Sequence, residues 1–255
     1  YVKYSEIPYQ ERKNIIHSFM FMKHKTKPDG SYDKTKARLV GNGAHQGEHM
    51  YDFVSSSTVA LSSVFLLLNI ASYHKAELAS YDVKGAFLNA EFGPNDVTTY
   101  LKINKEVTEI WVQVDPTAKE FVERDELTME LDKFIYGLKQ SPYKFQQNLK
   151  KFLLERVSYT QCRNDDCVYH KQNVELSTWS IISTHVDDLL QVTNSTSLVT
   201  ELHEALIDEY KSITFHPNAD AYVGISIKRS PDGSLIQLTQ KGLTDSIIET
   251  YCKKK

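Results

Sequence analysis

Cysteine is scarce in this chain of 255 residues: there are three, Cys162, Cys167 and Cys252. An odd, sparse set argues against a disulfide framework and points to a reducing, intracellular setting. Cys162 and Cys167 stand in a C-x4-C spacing with no second pair, so a zinc site is not expected there. Net charge is also lacking, at −3. That does not suggest attachment to nucleic acid by bulk charge, which leaves such work to local patches. The longest apolar run, "VALSSVFLLLNIAS", is shorter than a bilayer span and carries serines and an asparagine. It reads as a buried helix, and no membrane partner is expected. The opening "YVKYSEIPYQERKN" has no signal-peptide pattern. Internal repeats and low-complexity linkers are missing. The chain opens without Met and closes on Lys253, Lys254 and Lys255, so it reads as a piece of something longer.

What is present suits one large domain or two closely packed subdomains, with 41% apolar and 25% charged residues. Residues 18–42 read as an antiparallel ribbon around "PDGSYD", a Pro-Asp-Gly turn signal. The ribbon is basic, with Lys23, Lys25, Lys27, Lys34, Lys36 and Arg38, and strand alternation can gather several of these on one face. A solvated, lysine-guarded edge strand is the alternative. A helix is expected over 57–74 with a serine-rich start, then a strand "AELASYDV" and a turn or short helix "KGAFLNAE". Residues 97–131 mix short strands ("TTYLKI", "LTMEL") with short helices ("KEVTEIW", "TAKEFVER"). "SPYKFQQNLKKFLLERV" is an amphipathic helix with Phe145, Leu149, Phe152 and Leu153 on one side. "DCVYHK" and "LSTWSIIST" read as strands. Residues 195–210 form a helix with Leu198, Leu202, Leu206 and, at the edge, Tyr210 on one face. "YVGISIKRSPDGSLIQLTQ" is a hairpin, and a helix over 239–251 follows. Strands and helices without regular βα alternation give an α+β class.

One stretch stands apart. "SIISTHVDDLLQVT", residues 180–193, places Asp187 and Asp188 between two β-branched apolar segments. Adjacent aspartates suit a hairpin corner, and Asp165 and Asp166 in "RNDDC" show that the pair alone says little. A sheet hairpin, however, holds carboxylates rigidly, and like charges repel unless a cation neutralises them. A hard divalent ion with oxygen ligands, magnesium above all, answers that need. Asp82 is the best further ligand, because the apolar pattern of its strand breaks there abruptly to acid. Three such carboxylates could hold two ions about 4 Å apart, a pair suited to phosphate chemistry.

"KARLVGNGAHQ", "YDVKGAFLNAE", "LDKFIYGLKQSP", "THVDDLL" and "AYVGISIKR…LTQKGLTDSIIE" occur in this order. Together, from about residue 20 to the end, they resemble the reverse transcriptase of copia-type (Pseudoviridae) LTR retrotransposons. The resemblance implies a right-hand polymerase fold with fingers and an antiparallel palm sheet with packed helices, the thumb truncated or absent. It implies fingers with the basic hairpin over 1–80 and the palm segment bearing the first aspartate over 81–92. A connecting, pocket-lining segment would cover 93–145, the palm with the Asp-Asp hairpin 146–229, and a primer-grip hairpin and thumb start 230–255.

Asp82, Asp187 and Asp188 are then the catalytic carboxylates. With Val83 they form the implied site for two Mg²⁺ ions, for which Mn²⁺ can substitute. For the nucleotide the resemblance implies Arg38, Lys25 or Lys27 at the triphosphate, Phe87 against a ribose 2′-OH, and Val83, Tyr136, Gly137 and Gln140 around the pocket. For primer and template it implies His185, Tyr222, Gly224 and Lys139. The implied activity is RNA- and DNA-templated DNA polymerisation, with RNA template, DNA primer and dNTPs as partners, and an RNase H/thumb region or second subunit as a further one. His185 departs from the family's usual tyrosine, Phe145 from tryptophan and Tyr143 from arginine, and Gly93–Glu130 is longer than in many relatives. No full thumb or RNase H domain is evident after the last hairpin. A second reading therefore stays open: an inactive, repurposed nucleic-acid-binding protein, or a partial subunit, that keeps the polymerase fold.

Overall fold

A computed structural model describes residues 1–26 and 32–252. In chain order its strands and helices begin with β1 (Ile15–Thr26), β2 (Tyr32–Gly41), α1 (Leu61–Tyr73), β3 (Glu77–Val83) and β4 (Tyr100–Ile103). There follow α2 (Lys105–Val114), β5 (Leu127–Glu130), α3 (Ser141–Lys151), β6 (Thr160–Gln161), β7 (Val168–Asn173), β8 (Thr178–His185) and β9 (Asp188–Thr193). The last are α4 (Thr196–Tyr210), β10 (Ile213–His216), β11 (Ala221–Tyr222), β12 (Ile225–Arg229), β13 (Ile236–Thr239) and α5 (Lys241–Tyr251). The α+β class is what the sequence led us to expect. The chain forms two compact units, Tyr1–Ser55 with Phe87–Phe145 and Ser56–Ala86 with Gln146–Lys255.

The first unit is built on a four-stranded sheet of order β2-β1-β4-β5. Strand β1 pairs in parallel with β4 only over Ile15–His17, and antiparallel with β2 along most of its length. Beyond that short seam β1 and β2 run on as a two-stranded ribbon. Phe21 stands opposite Arg38, Lys23 opposite Lys36 and Lys25 opposite Lys34. Directly opposed residues share a face, so Lys23, Lys34, Lys36 and Arg38 are gathered on one side. The side chain of Lys25, and Lys27 altogether, lie outside the described residues. Two apolar clusters close the unit. One sets Ile103 and Leu127 against Val107 of α2, whose first turn Asn104 caps by accepting from Val107 N at 3.2 Å. The other joins Ile16 and Met50 to Phe134 and Leu138.

The second unit is a six-stranded antiparallel sheet, order β10-β3-β9-β8-β7-β6, with a three-stranded meander β11-β12-β13. Successive residues of β9 alternate between faces. Leu190 and Val192 join Leu78 under Val64, Leu67, Leu68 and Ala71 of α1, and Tyr222 and Ile227 of the meander belong to the same cluster. Gln191 points to the α4 side, where Tyr81 Oη donates to its Oε1 at 2.6 Å and its Nε2 donates to Ser180 Oγ at 3.0 Å and to the Leu198 carbonyl at 3.0 Å.

Four expectations shift in detail. The inward face of α4 is Val199, Leu202, Leu206 and Tyr210, with Leu198 only partly buried. Steps of four residues drift about 40° each around a helix, so Leu198 has turned off the line that Tyr210 occupies. Helix α1 starts at Leu61 rather than within the serine run. Asp165 caps it from afar, accepting from Ala60 N at 3.0 Å and from Ser63 Oγ at 2.6 Å. The helix read through "FLLER" ends as α3 at Lys151 and continues as a π turn, Phe152–Arg156. The last hairpin gains a third strand, β11, through a tight turn at Val223 and Gly224, both at positive φ. Two positive φ values in a two-residue loop make a turn that matches the strand twist. Helix α5 buries none of its residues and exposes Leu243, Ile247, Ile248 and Tyr251.

Candidate functional site

The register of the six-stranded sheet brings the predicted aspartates of the two distant segments together. Asp82, on the last turn of pleat of β3, is the partner of Asp188, the first residue of β9. Opposed residues of an antiparallel pair have Cβ atoms about 5 Å apart on one face. His185 and Asp188 close the β8–β9 hairpin, leaving Val186 and Asp187 as its two-residue turn. Val186 sits there at φ 56°, a left-handed position that a β-branched residue occupies at a cost. The turn is tied to β3, since Val83 N donates to the Asp187 carbonyl at 2.9 Å. On the other flank Lys84 N donates to the Ser212 carbonyl at 3.0 Å. Asp82 itself is paired on both sides of its strand, with Asp188 of β9 and Thr214 of β10.

Charge on this face is unbalanced. Lys84 forms an ion pair with Asp82, whose side chain is 32% exposed. Burial holds the Asp188 carboxyl above the usual carboxylate range, the charges of Asp187 and Asp82 add to that, and His185 and Lys84 oppose it. The carboxylates of Asp82, Asp187 and Asp188 are the hard oxygen donors that a divalent cation takes. Among the described residues no three His, Cys, Asp or Glu side chains already converge on a single ion position.

Asp82 and Asp188 look into a cavity of about 250 Å³ whose other walls carry His216, Asp220, Tyr222 and Gly224. Tyr222 is 4% exposed and turns inward: Ser183 Oγ donates to its hydroxyl oxygen at 3.2 Å, and burial raises its phenol well above the ordinary value. It braces the meander against the sheet. Gly224, at φ 73° with open space where a Cβ would stand, forms the turn at the cavity wall. His185 is half-buried, and among the described residues its Nδ1 has no hydrogen-bond partner.

The first unit holds the remaining candidates in two groups. The Arg38 guanidinium lies 4.9 Å from the Tyr136 ring centroid, that ring is 4.6 Å from Phe87, and Phe87 is 6.3 Å from Phe145. This aromatic row runs from buried Phe145 through half-buried Phe87 and Tyr136 and ends in a cation. The second group is a backbone crossing. Gly41 N donates to the Tyr136 carbonyl at 2.8 Å. A Cβ on Gly137, which sits at φ 96°, would overlap the Gly41 carbonyl, and a Cβ on Gly43 would overlap the Gly137 carbonyl. The close approach that Gly137 permits is thus to residues 41–43. Gln46 locks the crossing: its Nε2 donates to Gln140 Oε1 at 2.6 Å and its Oε1 accepts from Lys139 N at 3.0 Å. Gln140 is accordingly 2% exposed. Lys139 Nζ donates to the Gln46 carbonyl at 3.2 Å and to Tyr51 Oη at 3.0 Å, so in this structure it holds two loops together.

The sequence assigned no role to Lys84, Gln46, Gly41, Gly43 or Asp165. Lys84 had a usable signal, a basic residue only two positions beyond Asp82. The glycine and glutamine crossing joins segments about ninety residues apart and has no local signature.

A family model described as "Reverse transcriptase (RNA-dependent DNA polymerase)" matches residues 4–252. Among curated proteins, the Retrovirus-related Pol polyprotein from transposon TNT 1-94 of Nicotiana tabacum is 27% identical over 233 residues, covering 90% of this chain and 16% of its own length. The Retrovirus-related Pol polyprotein from transposon RE2 of Arabidopsis thaliana is 27% identical over 223 residues, 86% of this chain and 14% of that protein. The Transposon Ty1-NL2 Gag-Pol polyprotein of Saccharomyces cerevisiae is 25% identical over 189 residues, 74% of this chain and 9% of that protein. The chain thus spans a small part of these relatives. A solved structure of the foamy viral protease-reverse transcriptase in complex with double-stranded DNA aligns with TM-score 0.46 at 14% identity, covering 89% of this chain and 33% of that one.

Proposed function

Because the chain belongs to the reverse transcriptase (RNA-dependent DNA polymerase) family, we propose that it carries the fingers and palm of an RNA- and DNA-templated DNA polymerase. The observation that carries this reading is the register pairing of Asp82 with Asp188 beside the Val83-tethered Asp187 on a rigid antiparallel sheet. The six-stranded sheet is the palm in this reading, and the ribbon-bearing unit the fingers.

Asp82, Asp187 and Asp188 hold divalent cations, with the backbone of Val83 fixing the turn that presents Asp187. Magnesium held there would make a primer 3′-hydroxyl a better nucleophile and neutralise the departing pyrophosphate. The sheet supplies orientation, because Asp82 and Asp188 are set by backbone pairing and not by long side chains. Arg38, resting on Tyr136, is placed to pair with a triphosphate, and its planar guanidinium suits phosphate oxygens. Phe87, packed against Tyr136, favours a deoxyribose by crowding a ribose 2′-OH. Lys23, Lys34 and Lys36 attract the phosphates of template or nucleotide.

Primer extension on an RNA template with dNTPs and Mg²⁺ or Mn²⁺ tests the proposal. Extension by the wild-type chain, abolished in Asp187→Asn while template binding survives, is the expected result. Template binding without extension by the wild-type chain, in either metal, would instead assign it to the binding-module reading.

A further inference from the structure

We propose that Lys84 is a tethered counter-ion that competes with the divalent cation for Asp82 and so sets how much cation the carboxylate face requires. The inference rests on the reading that this face takes a cation. Asp82 is the last residue but one of β3 and Lys84 opens the turn that follows it, which brings the lysine side chain back to the aspartate two residues away. The segment is held at Lys84 itself by the hydrogen bond from its N–H to the Ser212 carbonyl, which anchors the base of the side chain beside Asp82. The ammonium then reaches the Asp82 carboxylate, with the lysine side chain 53% exposed and the aspartate 32%. Asp188 stands directly across from Asp82, so the same positive charge acts on both carboxylates.

Two consequences follow from simple electrostatics. In the absence of metal, the ammonium offsets the repulsion among Asp82, Asp187 and Asp188 and lets the hairpin keep its register. When a divalent cation arrives, it must take over an oxygen that Lys84 already contacts and tolerate a positive neighbour. The lysine stem is flexible and half in water, so its displacement is feasible but opposed. Nothing in this needs the protonation of any group to change.

The test is direct Mn²⁺ binding to the full chain without nucleic acid, followed by the paramagnetic resonance signal of free Mn²⁺. Lys84→Met and Lys84→Gln are expected to bind Mn²⁺ more tightly, on the order of fivefold, the upper end for a partly exposed ion pair. Lys84→Arg should stay near the wild-type value. Within an Asp82→Asn background the same Lys84→Met exchange should give a smaller gain, since the ion pair it removes is already gone. Unchanged or weaker Mn²⁺ binding in both neutral variants, with wild-type binding intact and circular dichroism native, overturns the role of Lys84 alone. Failure of the wild-type and both neutral variants to bind millimolar Mn²⁺ overturns the cation site and this inference with it.

Discussion

Val186, Gly137 and Gly224 all occupy left-handed backbone, and their surroundings give them different sensitivities. Exchanging Val186 for Gly removes a left-handed strain of about 1–3 kcal/mol, partly offset by the unfolded-state entropy of glycine. A net gain of about 1 kcal/mol in urea denaturation is expected. Gly224→Ala meets only the backbone penalty of about 1–2 kcal/mol, because nothing lies near its Cβ. Gly137→Ala adds overlap with the Gly41 carbonyl and should cost about 3–5 kcal/mol in the same assay. Asp188 gives a pH test. Its carboxyl is raised in the fold, first by burial, so the stability linked to it is complete below the unfolded value of about 3.9 and is lost as pH rises through the raised one. Asp188→Asn should therefore melt at a higher temperature than wild type at pH 7 in EDTA and no differently at pH 3. The aspartates were legible because acid interrupts an apolar run. Gly41 and Gly43 were not, because what they contact lies far along the chain.

Helix α1 shows where the reading of elements stopped short. Its existence followed from the apolar run, but its start was misplaced, since the residue that caps it comes from the "RNDDC" loop. Burial works against the Asp165 charge, yet hydrogen bonds from Ser63, Cys167 N and Ala60 N outweigh it and hold the carboxyl below its ordinary value. The stability this supplies is present above the unfolded pKa and fades as pH falls through the depressed one. Asp165→Ala should cost about 1–2 kcal/mol at neutral pH, read as a fall in melting temperature of roughly 2–6 °C, and less under acid. The meander was legible as a hairpin through its Pro-Asp-Gly turn. Its extra strand β11 was hidden because Val223, a residue ill suited to positive φ, occupies half of the second turn.

For the molecule as a whole, a net charge of −3 leaves any grip on nucleic acid to local patches, and the ribbon, where lysines oppose lysines across the strands, is one of them. Like charges so placed weaken a bare ribbon, and polyanion binding relieves them. The logarithm of template affinity should fall linearly with the logarithm of salt, and Lys34→Gln with Lys36→Gln should reduce that slope by about 2. A wild-type slope near zero would remove the ribbon from the nucleic-acid interface. At the opposite end of the chain, α5 has eleven residues and no buried side chain. Helices of that length hold poorly in water unless one side is covered. In dilute solution its amides should exchange with solvent faster than those of any other helix described here, a protease should cut there first, and at high concentration its greasy stripe of Leu243, Ile247, Ile248 and Tyr251 should be where molecules stick together.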